Sequence, residues 1–208
     1  MEDVLEVYKR PYDPKRPVVA MDEKPVQLLS DTREPIPCQP RSTAKQDHEY
    51  KRNGTANIFC ALEPLGNWRR LEVTERRTKL DFAAFVKELV DGQFKDAEKV
   101  ILVMDNLNTH SPASLYDAFS PQEARRITEK LEIHHTPKHG SWLNVAEIEL
   151  SVVGRRLGER IGSVQELSQQ LAAMEQQRND AAKGVDWQFN IDSARIKLKR
   201  LYPSFEER

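Results

Sequence analysis

The stretch Val100-Ile101-Leu102-Val103-Met104-Asp105 consists of five apolar residues followed by a carboxylate. A short, continuous apolar run with β-branched residues is typical of a strand that is buried on both faces of a sheet. Strand and helix patterns alternate on both sides of this run, so we expect one mixed sheet flanked by helices. The predicted fold class is therefore α/β.

The segments before this strand include two without a regular pattern. Residues 1–16 are charged and contain prolines, which predicts an extended arm, and residues 31–57 form a polar connection that is long for a compact domain. Hydrophobic periodicity predicts the regular elements around them. These are a first strand Val18–Asp22 with a continuation Pro25–Leu29, a hairpin of Asn57–Leu62 and Trp68–Thr74, and a helix over Thr78–Val90.

The segments after the buried strand are marked by capping signals. Ser120-Pro121-Gln122-Glu123 matches a capping box and predicts a helix to about Leu131. The remaining predicted elements are a strand Glu132–Thr136, a helix Asn144–Ile161 and a long helix from Ser163 to near Gly184. We therefore expect three parts: an arm over 1–17, an α/β domain over 18–161, and a helical extension with a basic tail over 162–208.

Composition argues against several classes of protein. No apolar run approaches the ~18 residues of a membrane span, and two cysteines, Cys38 and Cys60, do not make a disulfide framework. The 208 residues carry 32 basic and 33 acidic side chains, a formal net charge of -1. That balance alone argues against a nucleic-acid-binding protein, although a basic stripe can be hidden in a sum of charges.

Two carboxylates lie where predicted strands end. Asp22 ends the first strand and Asp105 ends the buried one. If these strands are neighbours, the two carboxylates lie side by side and repel each other, and a divalent cation is the usual means of keeping both ionised. Oxygen ligands without a Cys/His cluster favour Mg²⁺ or Mn²⁺. The alternative is that each aspartate forms a turn or caps a helix.

A third acidic candidate is Glu147, in the first turn of the helix that begins at Asn144. The segment Asn144–Glu147 also fits a capping box, which is a purely structural interpretation. Glu149 is a rival, because both glutamates flank the apolar stripe of this helix. Helix geometry alone leaves the choice between them open.

Three blocks of the sequence together resemble a known family. The blocks are Met21-Asp22-Glu23, Val103-Met104-Asp105-Asn106 with His110, and Trp142-Leu143-Asn144-Val145-Ala146-Glu147. In this order they are similar to the catalytic blocks of DDE transposases of the mariner superfamily, in its bacterial insertion-sequence branch. Supporting similarity extends over 52–55, 136–141 and 194–203, so the resemblance runs from about Val18 to Pro203.

The resemblance implies a ribonuclease H-like fold and a catalytic role for three carboxylates, Asp22, Asp105 and Glu147. Glu147 is preferred to Glu149 because it completes the Asn-x-x-Glu pattern of the family. The three side chains are expected to hold two Mg²⁺ or Mn²⁺ ions. The implied activity is DNA strand cleavage followed by strand transfer in cut-and-paste transposition.

Further residues are candidates for contact with DNA or for support of the metal ligands. Basic residues between 195 and 208 outnumber acidic ones by five to two, which favours phosphate contacts at the C-terminus. The candidates are Asn106, His110, Lys138, His139, Asn144, Arg195, Lys197, Lys199 and Arg200. The family further implies transposon-end and target DNA as partners, a possible homodimer, and a cytoplasmic, nucleoid-associated location in a bacterium.

The family normally carries helix-turn-helix modules ahead of its catalytic domain, whereas only residues 1–17 precede the first predicted strand. We therefore expect a catalytic domain alone. Two alternatives remain: a truncated, catalytically idle remnant that folds and binds DNA or a partner, and a structural adaptor in which the three carboxylates form turns and caps.

Overall fold

The computed structural model describes residues 1–107, 110–138, 140–158 and 160–202. The strands in these residues are β1 (Val18–Asp31), β2 (Tyr50–Glu63), β3 (Trp68–Thr74), β4 (Val100–Met104) and β5 (Leu131–His135). They form one sheet in the order β3-β2-β1-β4-β5. The first three strands are antiparallel, whereas β1, β4 and β5 are parallel. The prediction of one mixed α/β sheet is confirmed.

The apolar run that predicted a central strand is β4. All five of its residues are buried, and it pairs with β1 on one side and β5 on the other. In the pairing with β1, Val18 lies opposite Ile101 and Ala20 lies opposite Val103. The two strands that precede Asp22 and Asp105 are therefore neighbours.

Helices cover both faces of the sheet. Those in the described part of the chain are α1 (Glu2–Tyr8), α2 (Lys79–Asp91), α3 (Pro112–Ala118), α4 (Pro121–Lys130), α5 (Val145–Arg156), α6 (Val164–Asp180) and α7 (Ile191–Lys197). Apolar residues of α2, α3 and α4, among them Phe82, Leu115 and Ile127, pack on one face. Residues of α5 and α6, such as Leu150 and Leu171, pack on the other. No helix among the described residues combines the length and apolarity needed to cross a membrane.

The prediction of an extended arm over the first residues is wrong, because they form helix α1. Val4, Leu5 and Val7 are buried against Ile101 and Val103 of β4. These three apolar positions span too few residues to show a helical period, and the prolines that follow at 11, 14 and 17 favour extended chain. Packing against the sheet stabilises a helix this short, which would not be stable alone.

The predicted end of the first strand at Asp22 is wrong, because β1 continues to Asp31. The predicted continuation Pro25–Leu29 is part of this same strand, and β2 already begins at Tyr50. The outer part of this ribbon is largely exposed, so its residues lack the apolar alternation by which strands are recognised. Helix boundaries shift as well, since α5 ends at Arg156 rather than Ile161 and α6 at Asp180 rather than near Gly184.

Candidate active site

Asp22 and Asp105 line one cavity at the edge where β4 ends. Asp22 lies two residues beyond Ala20 on β1, and Asp105 lies two residues beyond its partner Val103 on β4. The parallel pairing therefore brings both aspartates to the same level of the sheet. The cavity has a volume of about 440 Å³, and Glu147 also lines it.

The start of α5 is tied to β1 by Asn144, which is buried. Its side-chain amide donates a hydrogen bond to the Met21 carbonyl at 2.8 Å, and its Oδ1 atom accepts one from the Ala146 amide at 3.2 Å. Asn144 therefore caps the helix, although at the amide of Ala146 rather than of Glu147. The same side chain holds the first turn of α5, and with it Glu147, beside the residue that precedes Asp22.

Glu149, the rival of Glu147, is buried in a separate ion-pair network. Its two carboxylate oxygens accept hydrogen bonds from Arg178 at 2.5 and 2.7 Å, and Arg69 lies 3.3 Å away. Glu149 is not among the residues that line the cavity, whereas Glu147 is. The geometry thus favours Glu147 over Glu149 as the third carboxylate.

The electrostatics of the cavity are those of crowded carboxylates. Burial raises the pKa of Asp22 to about 7, and the charges of Asp105, Glu147 and Glu23 add to this effect, against a hydrogen bond from the Glu23 amide. Three carboxylates with no thiolate among them are the kind of donors that Mg²⁺ and Mn²⁺ prefer. Among the described residues, no three acidic, His or Cys side chains are close enough together to hold a metal ion as they stand. The three carboxylates are thus suitable ligands by their chemistry, but they would have to move closer together to bind an ion.

His110 joins Asp105 to a fourth carboxylate. Its Nδ1 lies 2.5 Å from Oδ1 of Asp105 and its Nε2 lies 2.6 Å from Oε1 of Glu23. Burial would lower the pKa of His110, but the hydrogen bonds to Asp105 and Glu23 outweigh it and raise this pKa to about 9. The imidazolium thus donates to both carboxylates. His110 is 1% exposed, so it supports Asp105 and does not offer a surface for DNA.

Burial acts to raise the pKa of Asp105, yet the hydrogen bond from His110 prevails and holds this pKa below its usual value. Asp105 therefore stays ionised beside Asp22. Sequence reasoning missed Glu23 as a partner, although the residue stands in the first family block. The available signal was its position, because in an extended strand Glu23 falls on the same face as the apolar Val19 and Met21.

Two cations that line the cavity were also missed as site residues. Lys24 follows the acidic pair on β1, and Arg77 lies in the connection between β3 and α2. The positive charge of Arg77 contributes to the lowered pKa of Asp105. Their positive charges can neutralise carboxylates or bind a phosphate. For Arg77, the only signal in the sequence was the basic pair Arg76-Arg77.

The other residues predicted to contact DNA differ in whether they lie near the candidate site. Asn106 and Lys138 line a second cavity of about 390 Å³ that shares Asp105 and Leu107 with the first. His139 lies outside the described residues. The four C-terminal basic residues line neither cavity, and two of them are engaged in contacts within the chain.

Arg195 donates hydrogen bonds to both carboxylate oxygens of Glu2 at 2.8 and 3.0 Å. The ammonium group of Lys197 lies 5.9 Å from the centre of the Phe189 ring. Lys199 and Arg200 are exposed on a 3-10 turn over Lys199–Leu201. The described C-terminal residues are therefore partly neutralised by their own chain.

Comparison with known proteins defines the class of this chain. The family model of the DDE superfamily endonucleases matches residues 17–168. The match covers most of the chain, so the protein belongs to the DDE superfamily endonuclease family. No curated protein matches it.

Solved structures share its fold. The Mos1 mariner paired-end complex with Mn matches with a TM-score of 0.58 and 19% identity, over 87% of this chain and 54% of that chain. The Mos1 strand transfer complex matches with a TM-score of 0.56 and 18% identity, over 84% of this chain and 51% of that chain. A pre-cleavage Mos1 transpososome matches with a TM-score of 0.53 and 15% identity, over 87% of this chain and 58% of that chain. The likeness shows the expected ribonuclease H-like fold, and this chain spans about half the length of those chains.

Proposed function

We propose that this chain is the catalytic domain of a mariner-type DNA transposase, with its catalytic part over 18–161. It would cleave a DNA strand and transfer the resulting 3′ end to a target. The observation that carries the proposal is that Asp22, Asp105 and Glu147 line one cavity of a ribonuclease H-like sheet. The finer assignments, a bacterial insertion-sequence element, a nucleoid-associated location and a homodimer acting on paired ends, rest on the three sequence blocks.

Asp22, Asp105 and Glu147 would hold two Mg²⁺ or Mn²⁺ ions. When bound, such ions supply Lewis acidity toward the scissile phosphate and stabilise charge on the attacking and leaving oxygens. The protein's own contribution is to orient the ligands. His110 holds Asp105 in its ionised form, and Asn144 fixes the turn that carries Glu147.

The cavity also contains groups suited to the DNA backbone. Lys24 and Arg77 would contact the non-bridging oxygens of the scissile phosphate, because they line the cavity that holds the three carboxylates. Asn106 and Lys138 would contact the neighbouring backbone in the adjoining cavity. These local cations reconcile DNA binding with a net charge of -1, since the binding energy comes from phosphates near a few cations.

The test is cleavage of duplex DNA that carries the sequences flanking the coding region, with Mn²⁺ or Mg²⁺ and with gel detection of new 3′ ends. We expect metal-dependent nicking by the wild-type chain and none by Asp105→Asn. Arg76→Ala is the control, because Arg76 is exposed and does not line the cavity. DNA binding without cleavage, unchanged in Asp105→Asn, would instead identify an idle remnant and refute the proposal.

A further inference from the structure

Glu23 and Asp22 are neighbours on β1 but face opposite sides of the sheet. Glu23 lies opposite Phe59, on the face covered by α2–α4, whereas Asp22 lies opposite Cys60, on the face covered by α5 and α6. His110 lies on the Glu23 side, with its ring centre 5.0 Å from that of Phe82. Asp105 is thus contacted by His110 from one face while it borders the cavity on the other.

We propose that Glu23 is a positioning residue for Asp105 and acts through His110. The inference rests on the proposed function, because it assigns a task at the same metal-binding carboxylates. Contacts of 2.6 Å and 2.5 Å connect Glu23 on β1, through the imidazole ring of His110, to the carboxylate that follows β4. This bridge fixes Asp105 relative to the strand that carries Asp22.

The burial of this bridge indicates that it has a task beyond stability. The side chains of His110 and Glu23 are 0% and 1% exposed. Buried ionic groups stabilise a fold no better than well-packed apolar side chains do, and they tolerate the loss of a partner badly. A buried polar bridge beside apolar neighbours such as Phe82 is therefore explained better by the side chain that it orients than by a contribution to folding stability.

The carboxylate of Asp105 needs such orientation. It lies just beyond the end of β4 and its side chain is 30% exposed, so the strand itself does not fix its torsion angles. The hydrogen bonds that the described residues make to the carboxylate all reach Oδ1. Residues that orient metal ligands in this way commonly change metal affinity by about 10- to 100-fold.

Substitutions at Glu23 separate position from charge. Glu23→Gln keeps an oxygen that accepts from Nε2 of His110, but removes the charge. Glu23→Asp keeps the charge, but shortens the side chain so that it no longer reaches His110. Glu23→Ala removes both. If Glu23 acts by position, Glu23→Gln should bind Mn²⁺ as the wild type does, and Glu23→Asp should bind it as weakly as Glu23→Ala.

The experiment measures Mn²⁺ binding to the full chain without DNA, from the electron paramagnetic resonance signal of free Mn²⁺. We expect the dissociation constant to rise at least about tenfold in Glu23→Ala and Glu23→Asp, and less than about threefold in Glu23→Gln. The matched control is Glu63→Ala, because Glu63 is also a nearly buried glutamate of the sheet but does not line the cavity. Circular dichroism reports whether each variant folds.

The outcomes distinguish this inference from the proposed function. If Asp105→Asn leaves Mn²⁺ binding unchanged, the proposed metal site itself is wrong. If Asp105→Asn weakens binding but Glu23→Asp binds as tightly as Glu63→Ala, only the positioning role is overturned. Tighter binding by Glu23→Asp than by Glu23→Gln also overturns it, because charge and not position would then matter. If Glu23→Ala does not fold, the comparison of Mn²⁺ binding by Glu23→Gln and by Glu23→Asp is sufficient to test the positioning role.

Discussion

Arg178 of α6 donates hydrogen bonds of 2.5 and 2.7 Å to the two carboxylate oxygens of Glu149 on α5. Arg69 of β3 lies 3.3 Å from the same carboxylate and is fully buried. One side chain thus joins two helices and the sheet on the face that also supports Glu147. The two glutamates, two residues apart on one helix, have separate tasks: one holds the helices together and the other borders the cavity.

Replacing Glu149 should therefore affect stability first. In Glu149→Gln the buried guanidinium group of Arg69 and the half-buried one of Arg178 lose their counter-charge, which costs roughly 3–5 kcal/mol of unfolding free energy. Glu147→Gln should change that free energy by less than about 1 kcal/mol, because it relieves repulsion in an open cavity, yet it should abolish cleavage. Urea unfolding and the nicking assay measure the two effects. Loss of cleavage in a fully stable Glu149→Gln would reverse the assignment.

Asn144 should be needed both for the helix cap and for the link to β1. Asn144→Ala removes the cap, which costs about 0.5–2 kcal/mol, and leaves the buried Met21 carbonyl unpaired, which costs about 1–3 kcal/mol. Asn144→Ser is the comparison, because serine retains a capping oxygen but cannot reach Met21. We expect both variants to cleave more slowly than the wild type and Asn144→Ala to be the less stable in urea. Wild-type cleavage by Asn144→Ser would show that the link to Met21 does not position Glu147.

The parts of the site that could be predicted are those marked by local pattern. An apolar run with a carboxylate at its end located β4 and Asp105, and the family blocks pointed to Asp22 and Glu147. The contact of His110 with Glu23 joins residues 87 positions apart. Periodicity shows which face of a strand is apolar but not which polar groups meet across the sheet, so this bridge and the Glu149 network appeared only in the structure.

Stability should depend on pH through Glu63, away from the candidate site. Burial raises the pKa of Glu63 from 4.5 to about 7. A carboxyl whose pKa is raised by folding contributes stability below its unfolded value, and this contribution is lost as the pH rises through the folded value. Glu63→Gln should therefore gain stability relative to the wild type between pH 5 and pH 8, as measured by urea unfolding at both values. Equal differences at the two pH values would contradict the shift.

Arg77 should contribute directly to DNA binding, because its side chain lines the cavity of the three carboxylates. Arg77→Ala removes one cation close to the expected scissile phosphate. The logarithm of the DNA affinity falls with the logarithm of the salt concentration, and each phosphate contact that is lost makes this slope less steep by about 1. Since Arg77 is exposed, the variant should unfold at the wild-type urea concentration.

Arg76→Ala provides the matched control for this prediction. Arg76 has the same charge, is also exposed and is adjacent in the chain, but it does not line the cavity. Fluorescence anisotropy of a labelled duplex at several salt concentrations should therefore show a reduced slope for Arg77→Ala and a wild-type slope for Arg76→Ala. Equal effects of the two substitutions would mean that this segment attracts DNA only through its overall charge, and Arg77 would then have no specific contact with the phosphate.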